Sequence, residues 1–483
     1  MLTIRLATPA ELPAVLALPV LGDPAGVPAT ALRVPPDVLD EAHALLAAAD
    51  DPADAGAVQP LPRPLREPGR LLLVGVKGGD EAGWRAAGAG LTRASARETS
   101  ITVALPEDAA PDAVRGVAEG SWLASYRFRI ADDGGATRLA EVVLAVAEPD
   151  RYGDALAAAR ATAEATFLAR DLTNTPSSTK NPAWFAEEIT RAASGRDGLT
   201  VRVRGPEELA ADGFGGILAV GGGSASGPRL VETSWRPEGA RIHVALVGKG
   251  ITFDTGGISI KSRDAMKLMR KDMSGAAVVT AAALGAAAMD LPVRVTALAP
   301  LAENMVSGSA YRPGDVIRHY GGLTTESTNS DAEGRLVLAD ALAYAAAQLS
   351  PDLLVDLATL TGANAVALGR RTAALYSDND QLAGALSAAA TAAGEQVWRM
   401  PLPADYVEYL GSDIADFHSS PDRGAGSVVA ALYLREFTGD LHDRWAHIDF
   451  SAPSWVDSAD AELATGATGW GARTLLRWLA TLS

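Results

Sequence analysis

The chain has 483 residues, 48% of them hydrophobic and 21% charged, which is ordinary globular composition with apolar material for more than one domain. Its 42 Lys and Arg against 59 Asp and Glu give a formal net charge of −17, a sign that repels a phosphate backbone and argues against nucleic acid as a partner. Cysteine is absent, so disulfides, thiolate metal sites and a cysteine nucleophile are excluded, and any metal must be held by oxygen and nitrogen ligands. The N-terminal stretch MLTIRLATPAELPAVLALPV has no basic segment followed by a clean apolar run, and no stretch reaches the ~18 apolar residues of a membrane helix. A cytoplasmic protein with no membrane partner is expected.

Residues 1–150 read as a smaller α/β domain with Pro-rich breaks at 34–36 and 60–68. Its clearest element is the two-sided apolar run Leu71–Val76, a central strand ending in the loop Lys77-Gly78-Gly79-Asp80. An Ala-rich helix from about Tyr152 to Arg170 follows, stopped by Pro176, and the domain junction is placed on it as a connecting helix over 151–170. Residues 171–483 then alternate. Strands are predicted at Leu199–Val203, Gly216–Val220, Ile242–Val247, Val293–Leu298, Leu353–Leu357 and His447–Phe450. Helices are predicted at Pro182–Ala193, Ser274–Ala288, Gly334–Leu349, Ala383–Ala393, Ser427–Phe437 and Ala472–Leu482. This alternation predicts an α/β fold whose larger C-terminal domain has a mostly parallel central sheet flanked by helices, with its ligand crevice beyond the carboxyl ends of the strands. Gly221-Gly222-Gly223 reads as an exit from the strand at 216–220, because no G-x-x-x-x-G-K-[ST] pattern accompanies it.

Two stretches carry the chemistry, LVGKGITFDTGGISIKSRDAMKLMRKDMSGA at 246–276 and NSDAEGR at 329–335. The strand Ile242–Val247 delivers Lys249 at its carboxyl end, and a glycine-rich loop over 250–257 presents Asp254, with Lys261 seven residues further on. Asp272 precedes the helix at Ser274, whose N-terminus favours an anion. Asp331 and Glu333 are two apart, so an extended segment would aim both carboxylates the same way, and Arg335 follows. Any one of these residues is explained as a helix cap or a solvated side chain. Their convergence at strand ends is not, because such charge is costly to bury uncompensated. Two divalent ions would balance the four carboxylates Asp254, Asp272, Asp331 and Glu333, with Lys249 held as a free-base amine. Such a pair supports a bridging water and a polarised carbonyl, leaving Lys261 and Arg335 for developing charge or an anion.

GKGITFDTGGISIK (248–261) and NSDAEGRL (329–336) resemble the signatures of the leucyl aminopeptidase family of dinuclear metallopeptidases. The likeness continues through RDLTNTPSSTKNP (170–182), APLAENMVSGSAYRPGDV (299–316), ATLTGA (358–363), WAHIDF (445–450) and GATGWGARTL (466–475). Residues 1–150 match only loosely, as a macro-like domain with an assembly role. The resemblance implies one metal on Asp254, Asp331 and Glu333, with Asp331 also giving its backbone carbonyl, and a second on Lys249, Asp254, Asp272 and Glu333. It implies Mn²⁺ or Zn²⁺, with Mg²⁺ or Co²⁺ as substitutes, a catalytic Lys261 at the oxyanion, and a catalytic Arg335 holding bicarbonate as general base. Met269, Thr359, Leu360 and Gly362 match positions edging the substrate pocket. A homohexamer acting on the N-terminal bond of small peptides, leucine-like ones first, is the implied protein. DNA binding on the same scaffold and a narrow dipeptidase are the alternatives.

Departures from the family pattern concern specificity: Lys267 and Lys271 beside Asp272, Ser330 in place of Thr, and the stretch DFHSSPDRGAG at 416–426. None of the six histidines is spaced as a metal motif. His447 reads as a hydrogen-bonded strand residue, and His418 stays open because it lies in the divergent stretch.

Overall fold

In the computed structural model, which describes residues 1–8, 11–131 and 138–482, Leu71, Leu72, Leu73 and Val74 are completely buried, as a strand apolar on both faces must be. That strand, β4 (Arg70–Gly75), belongs to a six-stranded sheet with β1 (Thr3–Ala7), β2 (Val15–Val20), β3 (Val58–Pro62), β5 (Ser100–Ala104) and β6 (Glu141–Ala145). Its order is β1-β6-β5-β2-β4-β3, parallel except where the edge strand β3 meets β4. Three helices accompany it, α1 (Pro36–Ala48), α2 (Glu81–Ala94) and α3 (Pro111–Ser125). The expected loop after β4 ends in Asp80, which caps α2 by accepting from Gly83 N at 2.8 Å. This unit comprises Met1–Glu164 together with Val456–Thr465, and Arg93 of α2 fastens that later segment by donating to the carbonyls of Ala461 and Leu463.

The Ala-rich helix is α4 (Gly153–Asn174), four residues longer than expected at its C-terminus. The second unit comprises Ala165–Trp455 and Gly466–Ser483. Its elements are α5 (Pro182–Ala193), β7 (Leu199–Arg204), α6 (Pro206–Asp212), α7 (Gly215–Gly221), β8 (Arg229–Trp235), β9 (His243–Gly248), β10 (Gly250–Asp254), α8 (Arg263–Met266), α9 (Ser274–Ala288) and β11 (Arg294–Asn304). After these come β12 (Val316–Arg318), β13 (Thr324–Glu326), α10 (Glu333–Tyr344), β14 (Leu353–Ala358), α11 (Ala363–Leu368), β15 (Thr372–Tyr376) and α12 (Asp380–Ala393). The unit closes with β16 (Gln396–Arg399), β17 (Phe417–His418), α13 (Gly426–Arg435), β18 (Trp445–Asp449) and α14 (Ala472–Leu479).

The main sheet runs β16-β15-β18-β14-β9-β11-β8-β7, with β10 added on β11. Its centre, β18-β14-β9-β11, is wholly parallel, and antiparallel pairs occur only further out. Alternation along β9 shows why the strand is apolar throughout. Val244 and Leu246 enter one core with α4, α5, α9, α12 and α14, while Ala245 and Val247 enter the other with α7, α10 and α13. Helix α9 is apolar all round and buried from Ser274 to Ala286, as a central covering helix should be.

The structure corrects several expected elements. Gly216–Val220 is not a strand but lies within helix α7, where Ile217 and Val220, three apart, point to the core. A short apolar run fits either state by periodicity. Gly221-Gly222-Gly223 therefore leaves a helix, not a strand. The expected loop at 250–257 is strand β10 as far as Asp254, paired with β11 through an irregular register between Ile251 and Phe253. Helix α10 ends at Tyr344 and widens into a π turn over Ala345–Leu349 before the left-handed Ser350.

Candidate metal centre

Four elements of the second unit bring the charged residues together. Lys249 follows β9, Asp254 ends β10, Asp272 sits between a 3₁₀ turn at Met269–Lys271 and helix α9, and Glu333 is the first residue of α10. Asp331 and Glu333 do not share an extended segment: Asp331 is in a turn and Glu333 opens the helix. Two glycines permit the approach. A Cβ on Gly334 would lie 2.3 Å from Lys249 Cε, and one on Gly275 would lie 2.2 Å from Leu357 O, so neither position takes a side chain without displacing the site.

The Lys249 amine reaches Asp272 Oδ2 at 2.9 Å and Glu333 Oε1 at 2.8 Å, and donates to Thr359 O at 3.1 Å. Lys261 pairs with Asp254 Oδ2 at 2.8 Å and with Asp331. One oxygen each of Asp254, Asp272 and Glu333 lie within 4.8 Å of one another, all three residues being buried. The free geometry is held by hydrogen bonds to the remaining oxygens. Asp254 Oδ1 accepts from Gly256 N and Asn304 Nδ2, both at 2.8 Å, and Asp272 Oδ1 accepts from Thr359 Oγ1 at 2.8 Å.

Four carboxylates thus face two lysine amines, and the electrostatics register the imbalance. Burial, reinforced by the charge of Asp254, pushes the Glu333 carboxyl up to about 8. Asp272 is raised chiefly by burial, against the pull of Lys249. Burial acts to lower Lys249, yet Asp272, Glu333 and Asp254 overcome it and hold the amine above the usual lysine range. Lys261 is raised for the same reason, Asp254 being its strongest partner. Glu333 Oε1, Asp272 Oδ2 and Asp331 Oδ1 meet only lysine amines, and the buried Glu333 Oε2 has no partner at all. Buried carboxylate oxygens held by so little else, crowded within one small space, fit a hard divalent cation bound by oxygen and nitrogen.

Arg335, two residues beyond Glu333 in α10, is buried and donates to Ser419 O at 2.5 Å, while its Nε lacks a hydrogen bond. Among the described residues it makes no hydrogen bond or ion pair with the four carboxylates, so it flanks the cluster and feels Glu333 only as a nearby charge. Of the pocket residues, Met269 opens the turn before Asp272, and Thr359, Leu360 and Gly362 form the loop after β14. Asp449, at the end of β18, accepts from Leu360 N at 3.2 Å and from Thr361 N at 2.9 Å. Lys267 is exposed beside Asp264, whereas Lys271 turns inward to donate to Ser451 O at 2.7 Å. His447 is the expected hydrogen-bonded strand residue, 2.6 Å from Asp356 Oδ1. His418, in the divergent stretch, pairs with Glu326 at 2.9 Å.

Sequence reasoning passed over Asn304 and Tyr311. The Asn304 amide bridges Asp254 and Ser330 O, the latter at 3.0 Å, and Tyr311 OH reaches the same carbonyl at 2.8 Å. A polar residue at the carboxyl end of an apolar strand was the available signal for Asn304 and for Asp449; Tyr311 had none.

A sheet covered by helices on both faces, with a buried cluster of carboxylates and lysines at its strand ends, is the arrangement of a metal-dependent hydrolase. Residues 167–476 match the catalytic domain of the cytosol aminopeptidase family. A probable cytosol aminopeptidase of Chlorobium limicola is 47% identical over 378 residues, covering 75% of this chain and 74% of the relative. One from Streptomyces avermitilis is 46% identical over 407 residues, covering 82% and 78%. Among solved structures, the bottromycin maturation enzyme BotP in complex with Mn is 38% identical, covers 97% of this chain and 99% of its own, and has a TM-score of 0.84. The chain belongs to the cytosol aminopeptidase family, a family of metal-dependent aminopeptidases.

Proposed function

We propose that this protein removes the N-terminal residue from small peptides, leucine-like residues first, at a pair of divalent metal ions. The observation that carries the reading is Glu333, a buried carboxylate whose Oε1 meets only the Lys249 amine and whose Oε2 has no partner, set among Asp254 and Asp272. One ion would be held by Asp254, Asp331 and Glu333, with the Asp331 carbonyl, and the other by Lys249, Asp254, Asp272 and Glu333. When bound, the ions supply Lewis acidity to the scissile carbonyl and lower the pKa of a bridging water.

The chain's own groups do the rest. Lys261, its side chain 14% exposed and so at the open side of the cluster, donates to the oxyanion of the tetrahedral intermediate. Arg335 would hold bicarbonate, which would supply a general base there. Met269 and the loop carrying Thr359, Leu360 and Gly362 receive the N-terminal side chain. The Mn in the BotP complex makes Mn²⁺ the first ion to test, then Zn²⁺, Mg²⁺ and Co²⁺. The family resemblance favours a homohexamer in the cytoplasm, and no described helix is long and apolar enough to cross a membrane.

Chelation is expected to abolish hydrolysis of leucine anilide, and Mn²⁺ or Zn²⁺ to restore it. Metal-loaded protein that hydrolyses no aminoacyl anilide, amide or dipeptide at neutral or alkaline pH would overturn the reading. A dipeptide panel reads how narrow the specificity is.

A further inference from the structure

Lys180 is completely buried and lies outside the machinery just described. Its amine donates to Thr173 O in the last turn of α4 at 2.9 Å, to Arg270 O at 2.7 Å, and towards Met273 Sδ at 3.1 Å. No carboxylate is among these partners. Burial pushes the amine well below the lysine range, with Arg270 adding to the effect.

The Arg270 carbonyl belongs to the 3₁₀ turn that leads into Asp272. Around it, Leu268 O accepts from Lys271 N at 2.9 Å, Met269 O accepts from Asp272 N at 3.2 Å, and Lys271 O accepts from Ser274 Oγ. Each carbonyl from 268 to 271 is therefore engaged, and Lys180 engages the one two residues before Asp272. Because the same amine also holds the end of α4, the turn is fastened to a long helix of the core. Thr359 Oγ1 orients the Asp272 carboxylate, and Lys180 fixes the backbone that carries it.

We propose that Lys180 is a positioning residue for the metal centre, fastening the Met269–Lys271 turn to α4 so that Asp272 stands ready as a ligand. The inference rests on the reading of Asp272 as a metal ligand. Outer contacts of this kind act on metal affinity, typically by about 10–100-fold.

The test is an Mn²⁺ titration of the full chain against a competing chelating dye, with thermal melting run in parallel, for the parent, Lys180→Met and Lys180→Gln. Lys180→Met keeps an unbranched apolar stem and removes the donor; Lys180→Gln keeps a donor on a side chain one atom shorter and decides the matter where Lys180→Met does not fold. Mn²⁺ affinity about tenfold weaker or more in Lys180→Met, smaller in Lys180→Gln, and activity recovered by raising Mn²⁺ are the expected results. Folded variants that melt lower yet bind Mn²⁺ as the parent does would make Lys180 merely structural and overturn the proposal. A parent that binds Mn²⁺ but hydrolyses nothing sinks the proposed function and leaves the Lys180 comparison readable.

Discussion

Helix α10 carries two buried carboxylates seven residues apart, hence on one face, and they have opposite circumstances. Asp340 is fully satisfied: Oδ2 accepts from Ile217 N at 2.8 Å, and Oδ1 from His319 Nδ1 at 2.9 Å and Tyr320 N at 3.0 Å. The far side of His319 meets Thr325 at 3.0 Å, and Thr325 meets Tyr433 at 2.8 Å, so the network closes within the core. Glu333 has the Lys249 amine alone on Oε1 and nothing on Oε2. A protein able to satisfy one carboxylate so completely leaves an oxygen of the other without a partner on the same helix. The difference separates a carboxylate that holds the fold from one proposed to hold a ligand.

Substitution tests that contrast most directly. Glu333→Gln is expected to cost about 10³-fold in kcat/KM, several kcal/mol of transition-state stabilisation, without lowering the melting temperature. A variant that instead unfolds would place Glu333 with Asp340 as structural. Asp340→Ala should do the reverse, losing about 3 kcal/mol of stability in denaturant titration because His319 and two backbone amides lose their acceptor. The kcat and KM of its folded fraction should stay at the parent values. Mn²⁺ at about 100 times its Kd should then raise the parent's stability by about 2.7 kcal/mol and raise that of Glu333→Gln by less.

A smaller effect concerns His243, which bonds Thr296 Oγ1 at 2.9 Å and whose pKa burial and the nearby Arg294 lower to about 4. A histidine whose pKa falls on folding stabilises the native state above its unfolded value, and that stability is lost as pH drops towards the folded one. Melting curves between about pH 6.5 and 4 should therefore show ~2 kcal/mol of acid sensitivity that His243→Gln removes.

The central strands and covering helices were legible because their apolar runs are long and their ends punctuated. The α7 segment was misread because five apolar residues carry too little periodicity. Strand β8 went unread because RLVETSW mixes charge with β-branched residues and pairs antiparallel on both sides. At the site, the charged residues of the two motifs announced themselves by type. Asn304, Asp449 and Lys180 did not, since what marks them is the hydrogen bonds they make across 50, 89 and 90 residues of sequence. Such distances carry no spacing signal.

The pairing of β10 with β11 ends with Asp254 opposite Asn304. A proposed ligand and the amide that holds it therefore share one rung of the sheet, and the backbone ladder acts as a gauge for the centre. Deleting one residue from either strand would turn the side chain at that rung to the opposite face. Attempts to widen or retune the centre should therefore leave the lengths of β10 and β11 unchanged.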